Sequence, residues 1–562
     1  MTRENVNNVV SQFEAVDSYF PHFRSAVLPV AQGGGGAAGV MMAMNAYNGI
    51  PALASSELIN TLKAWAGENQ LYITTDGGDM IQWMCKMEPE GHSFCPYHDP
   101  PCTLAECVQA AVVAGSDIAD GSEYQTTLAT AVAQGNLTLG DAQQRLFNTL
   151  LIRFRLGLFD PVAGQPYLTY GEERIQTPSA RADNALAARQ GLVLLARGPL
   201  PFARGGSAVT TAVIGFCGNS TRALVSNYVN QFCPDGKDTC FPSIAQAIAA
   251  LGEGVATARG CASAAECAPA DIAAAAALAA APGTARTVLC VGISQAEEAE
   301  QRDRVNITLP EQQRALVAAV LAAAPGKPLA VVLVHGGALA LPELKAAPGV
   351  GILDAFYPGP EGGAAIADAL FGAYNPGGKL PYTVYDAGYA AAVDMADMRI
   401  AETGRTYRYN APGVAGKAPG GPPLWGFGYG ISYTSFSLAY SGAPALLLTP
   451  ASPTAALPLV LTNTGALAGD EVVQVYIAAD AGSLAAPAPP YVPLRSLVAF
   501  ERVRLGAGAG GDVAFTLSAL MCNLTLSDGT QKPVNGNYTV ILSRGQGVGQ
   551  ELSVPLTLQG WW

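Results

Sequence analysis

The sequence predicts a multidomain protein in which two successive α/β segments are followed by an all-β segment, and three observations lead there. Helix and strand signals alternate through the first 160 residues, as βα repeats do. Between about 190 and 375, continuous apolar runs bounded by Ala-rich helical stretches mark strands buried on both faces. From about 437 onward, short β-rich runs separated by Gly, Asn, Asp and Pro have the spacing of a small immunoglobulin-like sandwich. A chain of 562 residues also exceeds what one hydrophobic core takes, so two to four domains are expected.

In the first segment "VDSYFPHFRSAV" reads as helix and "GVMMAMNAYN" as extended chain. "ASSELINTLKAWAG" reads as a helix whose apolar residues at 58, 59, 62 and 65 share one face. "LYITTDGGDM" then supplies a β-branched and aromatic strand that Gly77 and Gly78 stop, leaving Asp76 at its end. Two readings of Asp76 follow: the start of an Asp-Gly turn or helix cap, or a reactive carboxylate at a strand's C-terminal edge, where α/β proteins collect their chemistry. The segment closes with two helices that end at Gly157 and Pro161.

The second segment offers the strands "AVTTAVIGFCG", "TVLCVGIS", "PLAVVLVHGG" and "GVGILDAFYPG", hence a parallel or mixed sheet covered on both faces. A Gly-, Pro- and Tyr-rich stretch reads as a long ordered linker. The runs "PLVLTNTG", "EVVQVYIAA", "SLVAFERVRL", "GDVAFTL" and "GNYTVILSR" are the sandwich strands.

Hydrophobic residues make up 50% of the chain and charged residues 13%. The most apolar region is broken by Pro325, Lys327 and Pro328, so no membrane span is expected, and the polar first residues lack a signal peptide's apolar core. A net charge of -13 without a basic stripe argues against nucleic acid and favours a neutral or small ligand. Eleven cysteines and sequons at Asn136, Asn219, Asn306, Asn523 and Asn537 point to a secretory history, with Cys233/Cys240 and Cys261/Cys267 spaced for short disulfide loops. Cys95, His98, Cys102 and Cys107 contain too little paired C-x₂₋₄-C spacing for structural zinc. Neither a metal nor a cofactor is expected.

Two motifs mislead. Gly34, Gly36 and Gly39 satisfy a dinucleotide fingerprint, yet no helix follows to receive a pyrophosphate. "VHGG" at 334 to 337 has the look of an esterase oxyanion loop, but no G-x-S-x-G supplies a nucleophile, which leaves His335 as a strand-end residue. "GISQAEEAEQRDR" places Glu297, Glu298, Glu300 and Asp303 beside Arg302 and Arg304 after a strand. It reads either as a solvated acidic helix start or as one half of a two-carboxylate glycosidic site whose other half is Asp76.

These motifs together resemble the family 3 glycoside hydrolases, specifically the plant-type β-xylosidase/α-L-arabinofuranosidase branch. "VMMAMNAYNGIP" is similar to that family's V-M-C-S-Y-N-x-x-N-G-x-P, and "YITTDGG" to its Y-x-V-S-D strand. "AGSDIADG", "RFRLGLFDP", "GISQAEEAEQRDR", "GPEGGAAIADALFGAYNPGGKLPYTVY", "GRTYRY" and "GFGYGISYTSF" follow in the family's order. The resemblance implies the C-terminal part of a (β/α)8 TIM-like barrel over 1–165 and an α/β sandwich domain over 166–385. A linker over 386–436 and a fibronectin type III-like domain over 437–562 complete the arrangement. It implies a retaining exo-glycosidase acting on xylo-oligosaccharide or arabinoxylan, with Asp76 as nucleophile and Glu298 or Glu300 as acid/base, Glu298 being favoured. Asn45, Met44, Arg304 and His92 become the substrate-binding candidates.

Two departures stand out: the family's Tyr is Met44 here, and its Ser before the nucleophile is Thr75. A full barrel takes about 250 residues, and the upstream strands with their Lys-His sugar-binding pair are missing, so the chain is expected to be truncated. A secreted, cell-wall or vacuolar location is expected, with the leader lost along with those strands. The alternatives are a catalytically weak or inactive carbohydrate-binding glycoprotein and a β-glucosidase of the same family.

Overall fold

Three parallel strands organise the first part of the chain: β1 (Gly39–Met42), β2 (Tyr72–Gly77) and β3 (Ile118–Asp120), in the order β1-β2-β3. The computed structural model describes residues 6–67, 70–86, 102–229, 232–300 and 302–561. Helix α1 (Ser56–Ala66) links β1 to β2 and buries Ile59, Leu62 and Ala66, the inner face of the apolar stripe seen in sequence. Ser55 caps it by accepting the Leu58 N–H. After β2 come α2 (Met80–Lys86) and α3 (Leu104–Ala114), tied together by the Cys85–Cys107 disulfide. Helices α4 (Glu123–Ala133) and α5 (Leu139–Arg155) follow β3. α5 starts at a capping box in which Thr138 and Asp141 satisfy each other's backbone N–H groups. Leu53, Ile59, Ile73, Ile81, Met84 and Val108 fill the core between sheet and helices.

The first compact unit comprises residues 1–174, 394–400 and 524–531. The last two segments return to it from far along the chain: Tyr19 donates to the Met398 carbonyl at 2.9 Å, and Thr525 to Asp17 at 3.1 Å. The linear boundaries read from composition do not reveal such returns.

The second unit is built on a six-stranded sheet. Its strands are β4 (Val193–Ala196), β5 (Thr210–Ile214), β6 (Gly254–Ala258), β7 (Thr284–Gly292), β8 (Leu329–Val334) and β9 (Val350–Asp354). They lie in the order β4-β9-β8-β7-β5-β6, parallel except for the antiparallel edge strand β4. One face packs Ala275, Leu316, Val320 and Leu344, and the other Ile244, Ile248, Ile366 and Leu370. Coverage on both faces is why β8 and β9 read as unbroken apolar runs.

Residues 386–436 form an ordered strap. Val384 bridges to Trp425 and Leu194 to Ile431, while Tyr407 stacks on Phe427 at 4.2 Å and meets Tyr476 edge-on at 5.9 Å. One face of Tyr407 therefore serves packing.

Beyond the strap, Phe436–Tyr440, Thr454–Asn463 and Gly510–Ser518 make a three-stranded sheet. A five-stranded sheet contains Leu446–Leu448, Leu552–Leu558, Gly536–Ser543, Gly469–Ala479 and Ser496–Leu505. Buried ion pairs join this part to the α/β sheet. Glu471 holds Lys379 at 2.7 Å and Arg544 at 3.2 Å, and Arg502 bridges Asp470 and the Tyr374 hydroxyl. Burial pushes the Lys379 pKa down, against the pull of Glu471.

Both short cysteine loops are disulfides, Cys233–Cys240 and Cys261–Cys267, and Cys217–Cys290 adds a third in this unit. Cys102 and Cys107 are disulfide-bonded, so neither offers a thiolate to a metal. Cys95 and His98 lie outside the described residues.

Candidate active site

Asp76 is the penultimate residue of β2, and the turn after it is made by Gly77 and by Gly78 at φ +81°. Its side chain is partly exposed, and Oδ1 accepts the Gly77 N–H at 2.7 Å. Thr75 fixes the strand end beneath it. That buried hydroxyl donates to the Asp76 carbonyl at 2.9 Å and accepts the Asp120 N–H from β3 at 3.0 Å. The family serine is thus replaced here by a residue that keeps the hydroxyl.

Because Met42 pairs with Thr75 in parallel register, Met44 and Asn45 leave β1 at the same sheet edge as Asp76. Both are partly buried. The extended run read over 39–48 is in fact interrupted there: the chain bends at 44–45 before the short strand Ala46–Tyr47. Asn45 lines a cavity of about 290 Å³ with Phe20, Tyr47 and Trp65. Behind the edge, the buried Glu123 carboxylate accepts the Ile81 and Gln82 N–H groups at 2.9 and 3.3 Å, complementing the start of α2. His92 lies outside the described residues.

In the second unit the segment after β7 is a looped turn, so the expectation of an acidic helix start is not met. Gly292, at φ +154°, begins the turn, and any Cβ there would run into the Val334 carbonyl. The three glutamates then have different surroundings. Glu297 folds back to accept the Ser294 N–H and hydroxyl at 2.8 and 2.6 Å.

Glu298 turns inward. Oε1 accepts from the Gly336 N–H at 2.5 Å and the Tyr357 hydroxyl at 2.9 Å. Oε2 accepts from the Gly337 N–H at 2.9 Å and faces Arg304 Nε at 3.5 Å. A Cβ on Gly337 would lie 2.6 Å from Arg304 Nη2 and 2.9 Å from Glu298 Oε2, so the "GG" after β8 is what lets the backbone approach. Arg304 is largely buried and donates to the Ala338 carbonyl at 2.9 Å, which rules out a role as a loose surface charge. Burial and the adjoining Glu298 carboxylate push the Tyr357 pKa up, keeping its proton on the phenol. Glu300 is exposed and accepts the Tyr228 hydroxyl at 2.7 Å.

Sequence reading missed Tyr357, Tyr228 and the Gly336–Gly337 amides. The visible signal was "HGG" directly after an apolar strand. One cavity is lined in part by this loop, and another lies beside Ala338. The first, of about 310 Å³, is lined by Ser294, Gln295, Arg222 and Tyr357; the second, of about 450 Å³, by Ala338, Tyr382, Tyr385, Tyr389, Tyr407 and Phe427.

Residues 192–433 match the glycosyl hydrolase family 3 C-terminal domain, and residues 471–545 a fibronectin type III-like domain. The chain is 31% identical to beta-D-xylosidase 1 of Arabidopsis thaliana over 92% of its own length and 66% of that protein's. It is also 31% identical to beta-xylosidase/alpha-L-arabinofuranosidase 2 of Medicago sativa subsp. varia, over 91% of its own length and 65% of that protein's. With a probable exo-1,4-beta-xylosidase of Aspergillus fumigatus the identity is 31%, over 97% of this chain and 68% of that one.

The fold is shared with a solved GH3 exo-beta-xylosidase, XlnD, at TM-score 0.85 and 24% identity, over 99% of this chain and 70% of that one. A Listeria innocua beta-glucosidase superposes at TM-score 0.80 and 23% identity, over 100% and 73%. The chain belongs to glycoside hydrolase family 3. It spans just under two thirds of the length of the plant relatives it matches.

Proposed function

We propose that this chain carries the catalytic residues of a retaining exo-acting glycosidase that releases xylose from xylo-oligosaccharides or xylan side chains, with α-L-arabinofuranosides as a second substrate. The observation that carries this reading is the agreement of at least 91% of the chain with relatives named as β-xylosidases and β-xylosidase/α-L-arabinofuranosidases. β1, β2 and β3 are then the C-terminal strands of a (β/α)8 barrel, which explains why Asp76 sits at a strand's C-terminal edge.

Asp76 is the nucleophile, and Glu300, rather than Glu298, is the acid/base. Glu298 is enclosed by the Gly336 and Gly337 amides, the Tyr357 hydroxyl and Arg304, whereas Glu300 is the exposed glutamate of the pair and is open to a leaving-group oxygen. In the first step Glu300 protonates the leaving oxygen while an Asp76 oxygen attacks the anomeric carbon, giving a covalent glycosyl-enzyme. In the second step the Glu300 carboxylate takes a proton from water as that water attacks the same carbon, releasing Asp76 and xylose with retained configuration. Retention needs the two carboxyl groups about 5 Å apart. Met44, Asn45 and His92 contact the sugar, and Arg304 acts through Glu298. The tyrosine-lined cavity offers ring faces on which a sugar stacks. No step calls for a cofactor.

Assays with aryl β-xyloside, α-L-arabinofuranoside and β-glucoside test the sugar, with the xyloside expected to turn over fastest. Faster glucoside hydrolysis would move the chain to the β-glucosidases. Binding of xylo-oligosaccharide with no hydrolysis would favour the non-catalytic reading. Glu300→Ala is expected to lower turnover of natural xylosides about 10²- to 10⁴-fold, to spare substrates with good leaving groups, and to respond to azide. The same pattern in Glu298→Ala would exchange the two roles.

Export to a wall, vacuole or medium fits the disulfides among the described residues and an exposed sequon at Asn306. Mass mapping should find glycan at Asn306 and paired cysteines. Bare asparagines with only free thiols would contradict export.

A further inference from the structure

His335, the residue immediately after β8, is buried between two acceptors. Nδ1 lies 2.8 Å from the Gly337 carbonyl and Nε2 3.0 Å from Asp354 Oδ1, at the end of β9. A carbonyl oxygen cannot donate, so Nδ1 carries a proton. The carboxylate on the other side calls for a second one. A proton on Nε2 as well makes the ring an imidazolium at ion-pair distance from a carboxylate that is itself 2% exposed.

Its own N–H donates to the Phe356 carbonyl at 3.3 Å, and Asp354 Oδ1 accepts the Phe356 N–H at 3.2 Å, so both chain segments are pinned to each other. The same few residues hold Glu298: Gly336 and Gly337 through their amides, Tyr357 through its hydroxyl, and Arg304 by anchoring on the Ala338 carbonyl.

We propose that His335 is a positioning residue: as a buried cation clamped between Asp354 and the Gly337 carbonyl, it sets the Gly336–Gly337 amides toward Glu298 and thereby orders the 294–304 loop. That this loop carries the acid/base rests on the function proposed above; the ordering itself does not. The charged groups acting on the ring are Asp354 and Glu298; Arg304, Tyr357 and Tyr382 act on those two carboxylates.

Burial opposes the imidazolium, but Asp354, the Gly337 carbonyl and Glu298 outweigh it and raise the His335 pKa. The sign follows. With the folded value above the ordinary imidazole pKa of about 6.5, the ordering is complete below that pH. It weakens by up to tenfold per pH unit above it, and is gone beyond the folded pKa.

Amide hydrogen exchange followed by mass spectrometry on the full chain tests this without any substrate, so an inactive chain leaves the test intact. After correction for intrinsic exchange, protection of peptides from 329–338 and from 294–304 is expected to fall together between pH 6 and pH 10. His335→Gln should lose at least tenfold protection in both segments at pH 6 and show no pH step, and Asp354→Asn should also lose the step. Wild-type protection that stays constant over this range overturns the proposal, as does a His335→Gln protein whose 294–304 loop is protected as in wild type. Should neither variant fold, the wild-type pH dependence alone decides.

Discussion

Asp76→Asn is expected to lower hydrolysis of aryl β-xyloside on the order of 10⁴-fold or more, the scale of loss seen when a covalent nucleophile is removed. The strand beneath should be unaffected. Among the described residues the Asp76 side chain holds its own loop through the Gly77 N–H contact, which an Asn oxygen also accepts, while Thr75 and the β2–β3 register are untouched. An unchanged unfolding midpoint with abolished turnover is therefore the expected pair of results. A comparable loss of stability would mean that the residue serves the strand rather than the reaction.

The largest structural effect is expected at Asp117. This buried carboxylate accepts the Ile73 N–H at 3.0 Å, Asn148 Nδ2 at 2.7 Å and Arg145 Nη1 at 3.0 Å, with Lys63 Nζ at 3.6 Å. It thereby joins α1, β2 and α5 around the start of β3. Burial pushes the Lys63 pKa down and Asp117 pulls it back. Asp117→Ala would remove the acceptor of the Arg145 guanidinium, the Asn148 amide and the Ile73 N–H, leaving Lys63 its bond to the Gly115 carbonyl, at a cost of about 3–5 kcal/mol for breaking a buried ion pair on one side. Faster amide exchange and proteolysis within residues 6–174, with the six-stranded sheet still protected, is the expected readout. A midpoint equal to wild type would show the network to be dispensable.

Sequence legibility followed burial. β5, β7, β8 and β9 were visible because strands covered on both faces have to be continuously apolar. The edge strands β4 and β6 were missed. Val193–Ala196 runs on from the helix Pro178–Gly191 with one intervening residue, and Gly254–Ala258 is only partly buried and has little β-branched content. The strand Leu552–Leu558 contains Pro555, which usually argues against a strand. It is tolerated because the parallel partner Leu446–Leu448 begins opposite Leu556, one residue later.

Within the candidate site, Asp76 was legible because a β-branched run stopped by two glycines is local information. The difference between Glu298 and Glu300 was not. It depends on Gly336, Gly337 and Tyr357, which reach Glu298 across 38 to 59 residues of sequence. His335 was read as a strand-end residue for the same reason, since its partner Asp354 belongs to the next strand.

The central claim is that Asp76 forms the covalent intermediate. The most direct measurement is labelling with a 2-fluoro-xyloside followed by peptide mapping. A single stoichiometric label on the peptide containing "TTDGG", absent from Asp76→Asn, is the predicted result. A label on any other carboxylate, or time-dependent inactivation that persists in Asp76→Asn, would contradict it.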